Sequence, residues 1–288
     1  MKALIFGAGG QVGRALVTMA PGGVEVLALG RAGCDIAERG AVVRAVTAAR
    51  PDVVFNAAAY TAVDRAESEP ELARRINADA AGWIAAAARS VGARNVHVST
   101  DFVFDGNTCH PYRPGDIVGP LGVYGRTKLD GEKEVAAADP DALIVRTAWV
   151  YAAAGANFMN TMLRLMRERD SVCVVADQIG TPTYASSLAS ALWDLHSFGA
   201  AGVHHFTDSG VASWYDFAVA IAEEAQTTGL LDRTISVRPI TTEQHPTPAR
   251  RPTFSVLDKT ATWEALGQPA PHWRVRLRAA INELGSHG

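Results

Sequence analysis

The chain has 288 residues, 48% hydrophobic and 20% charged, with a net charge of −3. That composition fits one large folded domain or two closely joined lobes, carries no compositional sign of disorder, and excludes a disulfide-stapled miniature. The weak negative balance gives no electrostatic footprint for nucleic acid or an anionic membrane, and no stretch approaches the roughly 18 apolar residues of a membrane span. The opening Met1 to Phe6 run is too short for a signal-peptide core. Three cysteines, Cys34, Cys109 and Cys173, lie far apart without CxxC spacing. They support neither a disulfide framework nor a zinc knuckle, and a cytoplasmic location is expected.

Apolar periodicity predicts a strand over Lys2 to Phe6, broken by Gly7 to Gly10 and followed by a helix over Gln11 to Met19. The alternation continues with Val24 to Leu29 (strand), Gly40 to Ala49 (helix), Asp52 to Asn56 (strand), Glu71 to Ser90 (helix) and Asn95 to Ser99 (strand). A long helix over Tyr124 to Ala138 and a strand over Ala142 to Thr147 complete the series. Continuously apolar strands separated by helices predict an α/β fold with a doubly wound parallel sheet. Its ligand site is expected at the strands' carboxyl ends. Beyond Val150 the pattern loosens into shorter helices, isolated strands at Val172 to Ala176 and Val203 to Thr207, and a proline-rich stretch from Pro239 to Pro252. We therefore divide the chain into a dinucleotide-binding domain, 1–150, and a second part, 151–288, that is mainly a substrate lobe. No linker separates the two, so the active site is expected between them.

Gly7, Gly10 and Gly13 form GxxGxxG between the first strand and the first helix. Glycines allow a tight turn and close backbone approach, and the helix beginning at Gln11 would aim its amide N–H groups at a pyrophosphate. After the second strand, where a carboxylate would bind the ribose hydroxyls of NAD, the chain reads Leu29-Gly30-Arg31. Arg31 could hold a 2′-phosphate, which favours NADPH, or could be a solvated surface arginine. Asp35, a few residues on, leaves NADH use possible.

Tyr124 and Lys128 stand at i and i+4 on a predicted helix and so share a face, in a chain with only four lysines. A tyrosine is a poor acid-base group at neutral pH until a nearby ammonium favours its phenolate, the role expected of Lys128. Upstream, Ser99-Thr100-Asp101 ends the fourth sheet strand, where Thr100 and Tyr124 could both donate to a ketone oxygen as hydride arrives. A hydroxyl there could instead cap the next turn.

With the glycine turn, Ser99-Thr100 and Tyr124-x-x-x-Lys128 in order, the chain resembles the extended short-chain dehydrogenases that act on nucleotide sugars, and within them the dTDP-4-dehydrorhamnose reductase family. The blocks carrying the resemblance span nearly the whole chain: GQVG from Gly10, RPDVVFNAAAYTAVDRAESEP from Arg50, STDFVFDG from Ser99, PLGVYGRTKLDGE from Pro120, RTAWVY from Arg146, NFMNTMLRL from Asn157, DQIGTPT from Asp177 and RPTFSVLD from Arg251. The resemblance implies NADPH-dependent reduction of the C4 keto group of a dTDP-linked 6-deoxyhexose. It implies that Gln11, Val12, Asp35, Ile36, Ala59, Tyr60, Thr61 and Val98 line the cofactor, with Tyr124 and Lys128 on its nicotinamide ribose. It further implies that Thr100, Asp101 and Trp149 face the sugar. Arg251 is a plausible pyrophosphate contact, or a simple surface charge.

Two departures from the family stand out: Phe102 replaces its usual tyrosine, and Arg14-Ala15-Leu16 lacks the first-helix carboxylate through which some members form an Mg²⁺-bridged dimer. No metal is expected, and a monomer or weak homodimer is. A nucleotide-sugar dehydratase or epimerase shares the fold. Dehydratases resembling this chain carry Asp-Glu after the catalytic threonine, whereas Asp101 is followed by Phe102, and Arg31 disfavours the retained NAD of an epimerase. A non-catalytic NADP-binding subunit, similar to the β subunit of methionine adenosyltransferase, is disfavoured by intact Thr100, Tyr124 and Lys128.

Overall fold

Period-two burial along the first strand sets the architecture. In the computed structural model, which describes residues 1–285, β1 (Lys2–Phe6) turns Ala3 and Ile5 to one apolar cluster and Leu4 and Phe6 to another. All four are fully buried, as a strand covered on both faces requires. There follow α1 (Gln11–Thr18), β2 (Glu25–Leu29), α2 (Arg39–Ala49), β3 (Val53–Asn56), the short helices α3 (Val63–Ala66) and α4 (Pro70–Arg74), α5 (Ala80–Ser90), β4 (Arg94–Thr100), α6 (Val123–Ala138) and β5 (Leu143–Thr147). These strands pair only in parallel, in the order β2-β1-β3-β4-β5. The winding reverses between β1 and β3, which opens a crevice at their carboxyl ends.

The second half comprises β6 (Val150–Tyr151), α7 (Phe158–Glu168), β7 (Ser171–Val175), β8 (Ile179–Gly180), β9 (Thr183–Tyr184), α8 (Ala185–Ser197), β10 (Gly202–His205), β11 (Ala212–Ser213), α9 (Trp214–Thr227), β12 (Ser236–Ile240), α10 (Thr260–Leu266) and α11 (Trp273–Gly285). The strand expected to stand alone at Val203 to Thr207 does not: β10 is the sixth strand of the main sheet, parallel to β5 with Val203 opposite Ile144. It satisfies an edge that would otherwise expose a row of unpaired backbone groups. The preceding α8 packs on α1, where the Trp193 indole N–H donates to the Leu16 carbonyl at 3.0 Å. The second half thus completes the first sheet as well as building its own core, in which Met159, Met162, Leu163 and Met166 form the apolar stripe of α7 against Phe217, Ile221 and Leu277. Positions 286–288, the end of the expected second part, lie outside the described residues.

The single helix expected over Glu71 to Ser90 is also interrupted. Between α4 and α5 the residues Arg75–Asp79 form one π-helical turn, a feature that often marks a functional segment. Asn77 in this turn accepts from Tyr60 N–H at 2.8 Å and donates to Tyr60 C=O at 3.2 Å and Thr127 Oγ1 at 3.1 Å, tying the loop after β3 to α6. The contact is so close that a Cβ on Gly131 of α6 would lie 2.1 Å from the Asn77 carbonyl oxygen. Helix propensity alone would have Gly131→Ala stabilise α6 by about 1 kcal/mol. We predict the opposite sign, a loss of about 1–3 kcal/mol in denaturant unfolding, because backbone must move to admit the methyl.

Candidate active site

Two adjoining cavities of about 440 and 340 Å³ run along the carboxyl ends of the sheet and share Gly10, Ala57, Ala59 and Thr61. Gly7, Arg31, Asp35, Ile36 and Tyr60 line the outer cavity. The inner one is lined by Gln11, Val12, Val98, Thr100, Asp101, Tyr124, Lys128 and Trp149. The cleft thus brings together all the sequence-predicted cofactor residues except Gly13. It also takes in Cys34 and Arg65, which the sequence did not single out.

The glycine turn is shaped by contact as much as by torsion. Gly7 has φ of +79°, and a Cβ there would lie 2.5 Å from the Ala58 nitrogen, so the turns after β1 and β3 touch. Gly13 serves packing: its Cβ would lie 2.1 Å from the Gly7 carbonyl oxygen, and it faces the turn rather than the cleft. Helix α1 follows the N-cap Gly10, with no side-chain cap and no acidic residue in its first turn. Its amide dipoles are therefore left for an anion. On the outer rim Arg31 is 84% exposed, its Nε 3.8 Å from Asp35 Oδ2. An ion pair so open to water is worth little, so the guanidinium can turn to a phosphate at small cost. The long cleft, cramped glycine turn and uncapped helix fit a dinucleotide.

At the inner end, Thr100 Oγ1 accepts from Phe102 N–H at 3.2 Å and donates to Asp101 Oδ1 at 3.1 Å. The capping role and the cleft-lining role of Thr100 therefore coexist. Tyr124 interacts with Thr100 and packs edge-on against Phe102, ring centroids 5.5 Å apart. Burial pushes its phenol up to about 12, opposed by the Thr100 hydroxyl and reinforced by the Asp101 charge. The expected lowering by Lys128 is not found, because the lysine is itself buried and brought down to about 8 by desolvation, with Glu132 opposing. Its Nζ donates to Val98 C=O at 2.7 Å and lies 3.3 Å from His97 Nε2. At neutral pH Tyr124 is a protonated donor.

What aims these groups is a buried network that the sequence reading missed. Glu132 lies one turn beyond Lys128 on α6 and receives Arg146 Nε at 2.9 Å and Nη2 at 2.7 Å, both side chains about 5% exposed. Ser99 donates to the same carboxylate at 2.5 Å, so its hydroxyl serves the network although the residue lines the inner cavity. A lone arginine inside the apolar strand Leu143–Thr147 was the available signal.

Trp149 follows β5 in a left-handed conformation, φ +47°, partly exposed to the cleft and stacked on Trp214 with centroids 3.6 Å apart. It is a wall and not a core residue. Arg251 is elsewhere: its Nη2 is 2.8 Å from Asp64 Oδ2 and its Nη1 3.1 Å from Asp64 Oδ1, and it lines neither cavity. It ties the C-terminal segment to α3, and a direct ligand contact would require breaking that pair.

The chain is similar to known proteins over nearly its whole length. The family model described as RmlD substrate binding domain matches residues 1–286. The chain belongs to that family. A dTDP-4-dehydrorhamnose reductase of Burkholderia thailandensis is 42% identical over 297 residues, covering 99% of each chain. Among solved structures, a dTDP-4-dehydrorhamnose reductase from Clostridium acetobutylicum superposes with a TM-score of 0.92 at 42% identity, covering 99% of each chain. The enzyme of the same name from Bacillus anthracis, solved in complex with NADP, gives 0.93 at 34% identity and covers 98% of this chain and 99% of its own. The family relationship thus runs through both halves.

Asp101 is the one carboxylate in the inner cavity. It is 1% exposed, with Oδ2 lacking a hydrogen-bond partner, and burial raises it to about 6 against hydrogen bonds from Ser255 and Thr100. The folded state thus holds this proton more tightly than the unfolded chain does. Stability from the neutral form is full below the ordinary value of 3.8 and lost as pH rises through about 6. Asp101→Asn, which mimics the neutral form, should match the parent near pH 4 and exceed it by about 1–3 kcal/mol above pH 6.5. Urea unfolding at both pH values checks this; a difference independent of pH would contradict it.

Proposed function

We propose that the chain reduces the C4 keto group of a dTDP-4-keto-6-deoxyhexose with NADPH, dTDP-4-dehydrorhamnose being the expected substrate and dTDP-rhamnose the product. The observation that carries this is the meeting of Thr100, Tyr124 and Lys128 at the inner end of a dinucleotide-shaped cleft, in a chain related over its whole length to reductases of that name.

Tyr124 and Lys128 in the inner cavity would hold the nicotinamide end of NADPH, which would supply the hydride to C4. As the carbonyl oxygen gains charge, the Thr100 and Tyr124 hydroxyls donate to it, and donors fixed in advance stabilise that charge without reorganising. Burial keeps the Tyr124 phenol protonated, and Tyr124 gives its proton to the alkoxide, leaving a secondary alcohol. Lys128 holds the ribose. Arg31 takes the 2′-phosphate, as a planar guanidinium suits a phosphate oxyanion, while Asp35 beside it keeps NADH as a poorer donor. Trp149, braced by Trp214, provides an aromatic face for the apolar side of a deoxysugar. With Phe102 in place of tyrosine, the edge of the sugar site is less polar.

The test is NADPH oxidation by the purified protein against a panel of dTDP-4-keto-6-deoxyhexoses, with product configuration read by NMR. Stoichiometric oxidation with such a keto-sugar is expected. NADPH binding without oxidation on any of them would contradict the proposal and restore the non-catalytic reading. Trp149→Ala should raise the KM for the keto-sugar about tenfold, since an aromatic platform is worth on the order of 1 kcal/mol. The NADPH dissociation constant should stay within about twofold. Equal losses in both would show the tryptophan to be structural.

A further inference from the structure

Beneath the inner cavity lies a chain of buried polar groups that the proposed reaction does not use. Asn56 ends β3 and His97 stands opposite it on β4, each 1% exposed. Asn56 Nδ2 is 3.1 Å from His97 Nδ1, and His97 Nε2 is 3.3 Å from Lys128 Nζ.

The hydrogens in this chain can be assigned from the outside inward. The Ala58 backbone N–H can only donate, and it reaches Asn56 Oδ1 at 3.2 Å. That fixes the Asn56 amide with its NH₂ toward His97, so Nδ1 accepts. Burial holds the imidazole well below its ordinary value, so it is neutral. Its single proton is therefore on Nε2, facing Lys128. An ammonium would oppose that N–H with its own hydrogens, whereas a neutral amine accepts it through its lone pair and still donates to Val98 C=O.

The surroundings offer Lys128 one charge that opposes this, Glu132, and that carboxylate is committed to other partners. Among the described residues it has no ion-pair partner: Glu132 on α6 is taken by Arg146 of β5 and by Ser99. The remaining titratable groups lining that cavity are Asp101, after β4, and Tyr124 on α6. We infer that Asn56 and His97 are a positioning pair that favours the neutral amine of Lys128 over its ammonium, so that at alkaline pH binding of the phosphate-bearing dinucleotide draws a proton onto this lysine. The second half of this statement rests on the NADPH reading; the first does not. The consequence is a cofactor affinity that falls as pH rises past the point where the free lysine loses its proton.

With only four lysines in the chain, ¹³Cε-lysine NMR reads the ionisation directly. Lys259, also brought down to about 8 by burial, is removed from the spectrum as Lys259→Arg. Lys128 should then titrate near 8. Asn56→Asp exchanges the donor at Nδ1 for an acceptor, inverts the tautomer and leaves Nε2 to accept from an ammonium. His97→Gln likewise offers a carbonyl oxygen. Each should raise the proton affinity of Lys128 about tenfold or more, and ¹⁵N-histidine spectra should show His97 protonated on Nε2 in the parent and on Nδ1 in Asn56→Asp. A Lys128 midpoint near 10.5 in the parent protein overturns the inference without any variant, as does an unchanged midpoint in whichever variant folds. Calorimetric NADPH titration at pH 8.5 in buffers of differing ionisation heat should show proton uptake in the parent and less in the variants. Binding without uptake overturns the coupling. A protein that bound no NADPH would overturn the cofactor reading and the coupling together, and leave the lysine's ionisation to the NMR result.

Discussion

The geometry of the cleft depends on one buried ion pair, Glu132 with Arg146. Removing two charges from water is costly, and a pair of this kind is worth keeping only when its remaining lone pairs and protons are satisfied. Here they are: the guanidinium meets the carboxylate through two nitrogens, a third nitrogen donates to Pro114 C=O at 3.2 Å, and Ser99 fills a further position on the carboxylate. The pair joins α6, β5 and β4 at one point. Because Lys128 and Tyr124 lie one and two turns before Glu132 on the same helix face, fixing Glu132 fixes both of them against Val98 and Thr100.

A second constraint acts on the neighbouring face of α6. The π-helical turn at Arg75–Asp79 brings Asn77 against Thr127 and the Tyr60 backbone, and the absence of a side chain at Gly131 lets the two segments meet. The helix carrying the acid-base groups is thus held on one face by charge and on the neighbouring one by backbone contact. The loop lining both cavities is held to the same helix. Binding at the outer cavity and chemistry at the inner one consequently share a rigid support, which favours reacting atoms kept in place over groups that must reorganise.

Much of this was legible in the sequence, and what was not has a common cause. Strand and helix order through residue 147 follows from local periodicity, and the glycine turn and the Tyr124–Lys128 spacing are read from residues near one another in the chain. The resemblance placed Trp149 and the loop at Ala59 to Thr61, and they do line the cleft. What escaped depends on contacts between distant segments. Strand β10 finds its place only because β5 offers an unpaired edge. The interruption after Arg74 is tied to the loop at Tyr60 and to Gly131, Arg251 is drawn to Asp64 nearly two hundred residues away, and the direction of the Tyr124 shift is set by burial that no spacing rule reveals.

The account stands on Tyr124 as proton donor, and the most direct measurement is the single-turnover rate of keto-sugar reduction by Tyr124→Phe at saturating NADPH. The ring and its edge contact with Phe102 are kept, so the fold and the NADPH dissociation constant should be unchanged. The rate should fall about 10²- to 10⁴-fold, the usual cost of losing a positioned general acid. A single-turnover rate near that of the parent would contradict the account, and would move the proton donor to Asp101, the carboxyl beside Thr100 in the same cavity.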